Sequence, residues 1–116
     1  MDRSPPAQIR YPRSPLSLHR GTVARYVAWF SASCPQRARR ALTIAEFGIR
    51  DFAISGGNAR AEVPSSGGGL YTVELDWGGR RPPATPRGFL TSCPCPDGRP
   101  WCKHAMALAL HVADLR

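Results

Sequence analysis

Three of the four cysteines in this 116-residue chain, and one of its three histidines, fall in the stretch Cys93-Pro94-Cys95-Pro96-Asp97-Gly98-Arg99-Pro100-Trp101-Cys102-Lys103-His104. Thiolate and imidazole are the donors a zinc ion takes in a tetrahedron at about 2.0–2.3 Å, and a Cys3His set closes all four positions. Cys93, Cys95, Cys102 and His104 are therefore the expected ligands of one structural Zn2+. Each half of such a site must bend, because Cys93 and Cys95 in an extended strand would stand about 6–7 Å apart. Pro94 and Pro96 restrict the backbone there, and Asp97-Gly98 supplies a reversal. Cys102 and His104 then approach from the other side, at the mouth of a final helix.

Two other readings of these residues are weaker. Cysteines are often small core residues, but four donors at this spacing are not explained that way. A catalytic zinc keeps one position open for water. Here four ligands are on offer, no acid stands in the pattern a hydrolase or deaminase uses, and Asp97 in Pro-Asp-Gly reads as a turn residue. The expectation is a binding module, not an enzyme. Three thiolates and Zn2+ leave a charge of about −1, which Lys103 and Arg99 could soften, or those two could face a phosphate. Trp101 is expected to cover the site, with stacking on a base or a partner side chain as the second role. His111 reads as a helix-face histidine, His19 lies in the front segment, and Cys34 is a leftover, inert thiol.

The elements that must carry this turn are legible from periodicity. Residues 1–21 hold Pro5, Pro6, Pro12 and Pro15 among arginines and serines, and are expected to be flexible. A single domain is expected over 22–116, with the metal finger at about 89–116. Val23, Tyr26, Val27 and Phe30 recur at helical spacing after Thr22, a plausible N-cap. Arg37 to Phe47 suggests a second helix ended by Gly48, although three arginines near its start oppose the helix dipole. From Ile49 the rhythm turns to period two. Phe52 and Ile54 precede the turn Ser55-Gly56-Gly57-Asn58, and Ala59, Ala61 and Val63 follow. After the loop Pro64 to Gly69, Tyr71, Val73, Leu75 and Trp77 alternate with polar residues. Phe89 to Ser92 reads as one more short strand and Ala105 to Leu115 as the last helix. The fold class expected is α+β: a small antiparallel β-meander with an N-terminal helical segment, a zinc-bound turn and a C-terminal helix.

The pattern C-x-C, then C-x-H, with an apolar helix directly after the histidine resembles the SWIM-type zinc finger, a family named for chromatin-remodelling helicases and Mutator-type transposases. The pieces Cys93-Pro94-Cys95-Pro96-Asp97-Gly98 and Cys102-Lys103-His104-Ala105 carry the resemblance. Phe52-Ala53-Ile54, Ala59 to Val63 and Tyr71 to Leu75 resemble the strands that bacterial stand-alone members place before the finger, which extends the likeness back to about Gly48. The resemblance implies zinc as cofactor and an association with DNA-handling proteins, by binding nucleic acid or by binding protein.

Charge bears on the same choice. Residues 1–40 hold eight arginines against one acid, whereas residues 41–116 hold eight basic and seven acidic residues. A basic segment suits an anionic partner. Equally, an Arg, Ala, Gly and Pro bias with Lys103 as the sole lysine is what a GC-rich genome writes. The first functional expectation is nucleic-acid binding, DNA favoured and weakly sequence-specific, through Arg37, Arg39, Arg40, Arg99 and Lys103. The alternative is an adaptor that docks a larger DNA-processing enzyme such as a helicase or recombinase, with Trp101, Leu108 and Leu115 as contacts. The start Met1-Asp2-Arg3-Ser4-Pro5-Pro6 has no apolar stretch of the secretory kind, and no run approaches the roughly 18 apolar residues of a membrane span. A cytoplasmic location is expected, and cysteines in a reducing compartment favour metal over disulfides.

Overall fold

Apolar residues at i, i+3 and i+7 make one helix face sticky, and that face decides where the helix lies. In the computed structural model, which describes residues 21–115, helix α1 (Gly21–Ser33) buries Val23, Tyr26 and Phe30. Thr22 is inside this helix instead of capping it, and its hydroxyl accepts from Arg25 at 3.2 Å. The expected flexible segment lies outside the described residues except for Gly21, which is the first residue of α1.

One extended residue, Cys34, separates α1 from α2 (Pro35–Phe47). The helix starts two residues earlier than its arginines suggested. Proline is tolerated in a first turn, where its missing N–H would be unpaired anyway. The small face Ala38, Ala41 and Ala45 is buried. That packing outweighs the unfavourable position of the arginines.

Four strands follow: β1 (Arg50–Ser55), β2 (Asn58–Pro64), β3 (Leu70–Asp76) and, after a 3-10 turn at Pro86–Gly88, β4 (Leu90–Ser92). They form one antiparallel sheet in the order β1-β2-β3-β4. The expected three-stranded meander thus gains β4 as a fourth strand, paired through Glu74 with Ser92 and Asp76 with Leu90. Gly56, at φ 51, makes the β1–β2 turn that the Gly-Gly pair announced. A bulge between Arg50 and Ala53, where Asp51 sits at φ 50, re-aims β1. Ala59, Ala61, Val63, Val73 and Leu75 are fully buried on the inner face.

Helix α3 (Lys103–Asp114) runs through the middle, with β2 and β3 on one side and α1 and α2 on the other. Alanines at 105, 107, 109 and 113 are buried in this helix, as are all side chains from 104 to 110. This corrects one expectation. Leu108 was a candidate partner contact, yet it is 0% exposed, because both layers of this same chain cover the helix. Leu115, at its end, is 56% exposed. No helix among the described residues is long and apolar enough to cross a membrane.

Candidate metal centre

The centre is built from three local pieces. Strand β4 ends at Ser92 and hands the chain to Cys93. The segment Pro94 to Pro100 then reverses, with Gly98 at φ 70, a conformation that favours glycine. Helix α3 begins as the chain returns, so that Cys102 is its N-cap and His104 its second residue. The Thr91 hydroxyl donates to the Pro100 carbonyl, which ties the two arms of the reversal.

Trp101 holds the loop from below. Its ring lies 4.9 Å from that of Phe30 and 6.2 Å from Trp29, both on α1, and 6.1 Å from Phe89. The cluster continues through Tyr26, Phe89 and Trp77 in edge-to-face contacts, the arrangement ring quadrupoles prefer. Trp101 therefore packs its ring against the aromatic core.

The Sγ atoms of Cys93, Cys95 and Cys102 and a ring nitrogen of His104 all lie within 4.8 Å of one another. The edges of a tetrahedron with zinc–ligand bonds of about 2.0–2.3 Å measure about 3.3–3.8 Å. Nδ1 of His104 is already 3.9 Å from Cys93 Sγ. Cys95, Cys102 and His104 are buried, and Nε2 of His104 has no hydrogen-bond partner. A buried polar group left unpaired costs about 1–3 kcal/mol; a zinc bond at Nε2 offsets that cost, whereas coordination through Nδ1 leaves Nε2 unpaired. All four cysteines are free thiols. Donor type, number and spacing fit zinc, and Cys93, Cys95, Cys102 and His104 are positioned to bind it.

Without a cation the site favours uncharged ligands. Burial pushes the Cys93 thiol up to about 12 and raises Cys102 as well. Burial, and then the charge of Lys103, lowers the His104 imidazole. Zinc would replace the thiol protons and hold the sulfurs as thiolates; the protein's part is to bring the donors together and keep water away.

The candidate anion contacts separate into two sets. Arg37, Arg40 and Lys103 line one cavity of about 360 Å³ that abuts Cys95, Cys102 and His104. Arg39 is exposed but does not line it. Arg99 is 64% exposed and pairs with Asp97 at 3.4 Å. Asp97 also faces Arg37 at 3.8 Å, which links the metal turn to α2. Three contributors escaped sequence reading. Tyr71 lies edge-on to the His104 ring at 5.0 Å, and Cys34 and Gln36 line the cavity. The Cys34-Pro35 pair at the start of α2 was visible, but nothing local says that this start abuts the metal turn.

Residues 71–113 match the family model of the SWIM zinc finger. The match begins at Tyr71 and does not take in the strands from Gly48 onward that precede it. No curated protein and no solved structure matches the chain.

Proposed function

Starting from residues 71–113 as a SWIM zinc finger that binds zinc, we propose that the protein is a non-enzymatic module that engages nucleic acid, DNA favoured, through phosphate contacts at its metal end. The observation that carries this reading is the convergence of Arg37 and Arg40 from α2 with Lys103 from α3 beside the zinc ligands. Exposed Arg39 and Arg99 flank them. Helix α2 contributes a start with no side-chain cap and no acid in its first turn, and α3 has no acid in its first turn either. Both helix dipoles therefore favour an anion at this end. Arginine offers phosphate a planar fork of donors. Helix α3, which follows the finger, is buried from 104 to 110 and offers no face for reading bases. Binding should accordingly be steered by charge and weakly sequence-specific.

The test is DNA association at two salt concentrations. Affinity that collapses between about 50 and 200 mM salt, and that weakens in Arg40→Ala and Arg39→Ala with zinc content intact, supports the reading. Salt-insensitive binding, or none in low salt, removes it.

The adaptor reading keeps one surface. Helices α2 and α3 both start at the metal end, and at their other ends Phe47 is 80% and Leu115 is 56% exposed. Capture of a helicase or recombinase that ignores salt and is abolished by Phe47→Asp or Leu115→Asp would favour docking there.

A further inference from the structure

The basic side chains beside the metal line an open cleft that Cys95, Cys102 and His104 also bound. Its about 360 Å³ exceeds what a phosphate group needs and falls within the range of about 300–1,000 Å³ typical of small-molecule pockets. Besides the zinc ligands, three walls line it. The first is the start of α2, with Gln36, Arg37 and Arg40. The second is the metal turn with Pro96, continuing into Lys103 of α3. The third is β3 with Tyr71, together with Ser66 from the glycine-rich turn before it. That turn is held by the Ser65 amide donating to the Gly69 carbonyl at 2.8 Å and by the Gly69 amide donating to the Ser65 hydroxyl at 3.0 Å.

The chemistry of the walls is mixed. Asp97 engages Arg37, whereas Arg40 and Lys103 have no acidic partner among the described residues. These two cations suit a phosphate. Tyr71 and Pro96 offer an aromatic and an aliphatic surface, and the Gln36 amide offers both a donor and an acceptor. A phosphate, a flat ring and a hydrogen-bonding edge occur together in a nucleotide. A base stacked in a duplex cannot enter such a pocket without leaving its stack, which costs a few kcal/mol. A nucleotide in a single strand does not bear that cost.

We infer that this cavity seats one unpaired nucleotide, with its phosphate on Arg40 and Lys103 and its base against Tyr71 and Pro96, so that the protein prefers single-stranded nucleic acid to duplex. The inference rests on the nucleic-acid reading above and narrows it.

The test uses the full-length zinc-loaded protein and a labelled oligo(dT), alone or annealed to oligo(dA). The single strand should bind about tenfold more tightly than the duplex. Thymidine monophosphate should displace it, and neither thymidine nor inorganic phosphate at the same concentration should do so. Arg40→Ala and Gln36→Ala, both at exposed positions on α2, should abolish the preference without loss of zinc, whereas Arg39→Ala should weaken both forms equally. Equal affinity for strand and duplex overturns the inference while leaving the nucleic-acid reading standing, as does a preference that survives both cavity variants. Inorganic phosphate competing as well as the nucleotide reduces the site to an anion seat and also overturns it. Binding of neither oligonucleotide in low salt sinks both proposals.

Discussion

The Sγ of Cys102 accepts a hydrogen bond from the Ala105 amide at 3.4 Å. One sulfur atom thereby stands at a corner of the metal site and caps the helix that forms the centre of the core. The first amides of a helix lack partners within it, and a side chain that accepts from one of them is worth about 1 kcal/mol. Cys102 is also fully buried, so metal and helix start share an atom that cannot turn to solvent.

Replacing Cys102 separates the two roles. Cys102→Ser keeps an acceptor for Ala105 and loses a soft ligand, whereas Cys102→Ala loses both. Zinc bound per chain, measured by elemental analysis, should drop in each variant. In chelator, where zinc makes no contribution, the alanine variant should be the less stable by about 1 kcal/mol in denaturant titration.

Metal uptake should release protons. Burial raises the Cys93 thiol to about 12 and raises Cys102, so at neutral pH both carry their protons before zinc arrives. Apparent zinc affinity should fall about tenfold per unit of acidification for each thiol that must lose its proton. Calorimetry in buffers of different ionisation enthalpy counts those protons directly. A chelator should lower the melting temperature and reduce the helical circular-dichroism signal, since the ion links the turn to the start of α3.

Leu108, within α3, and Leu115, its C-cap, should differ sharply. Leu108→Ala leaves a cavity between sheet and helices and should cost about 2–5 kcal/mol in denaturant unfolding. Leu115→Ala, more than half exposed, should change stability by no more than about 0.5 kcal/mol.

His111 should make stability sensitive to mild acid. It packs against Phe52 with ring centroids 4.5 Å apart. Burial lowers its pKa below the ordinary 6.5, while Asp114 and the Ala45 backbone pull the other way. Above pH 6.5 the imidazole is neutral in both folded and unfolded chains, and its contribution to stability is fully present. As pH falls through that value the unfolded chain takes the proton first, and the contribution is lost until the folded imidazole also titrates. His111→Gln should remove this part of the acid dependence, read as the difference between the two proteins' unfolding curves from pH 7.5 down to about pH 5.

Much of this architecture is local and was open to reading along the chain. The four zinc donors lie within twelve residues, from Cys93 to His104, so their assembly needs only a turn and a helix start, both marked by proline, glycine and spacing. Alternation at 59–63 and 71–77 names strands because neighbouring residues on a pleated sheet face opposite sides. The second helix was harder, since three arginines near its start oppose the helix dipole and its buried face is made only of alanine.

What the order of residues could not tell was which surfaces meet. Arg37 is distant in sequence from Asp97 and Lys103, and becomes their neighbour only because α2 and α3 pack with their starts together. Leu108 is apolar in the same way whether a partner covers it or the sheet does, and the layering of α3 between sheet and helices decided that. Donor spacing is a property of a short peptide, governed by backbone geometry. A cavity and a buried face are properties of packed layers, governed by how far apart those layers settle.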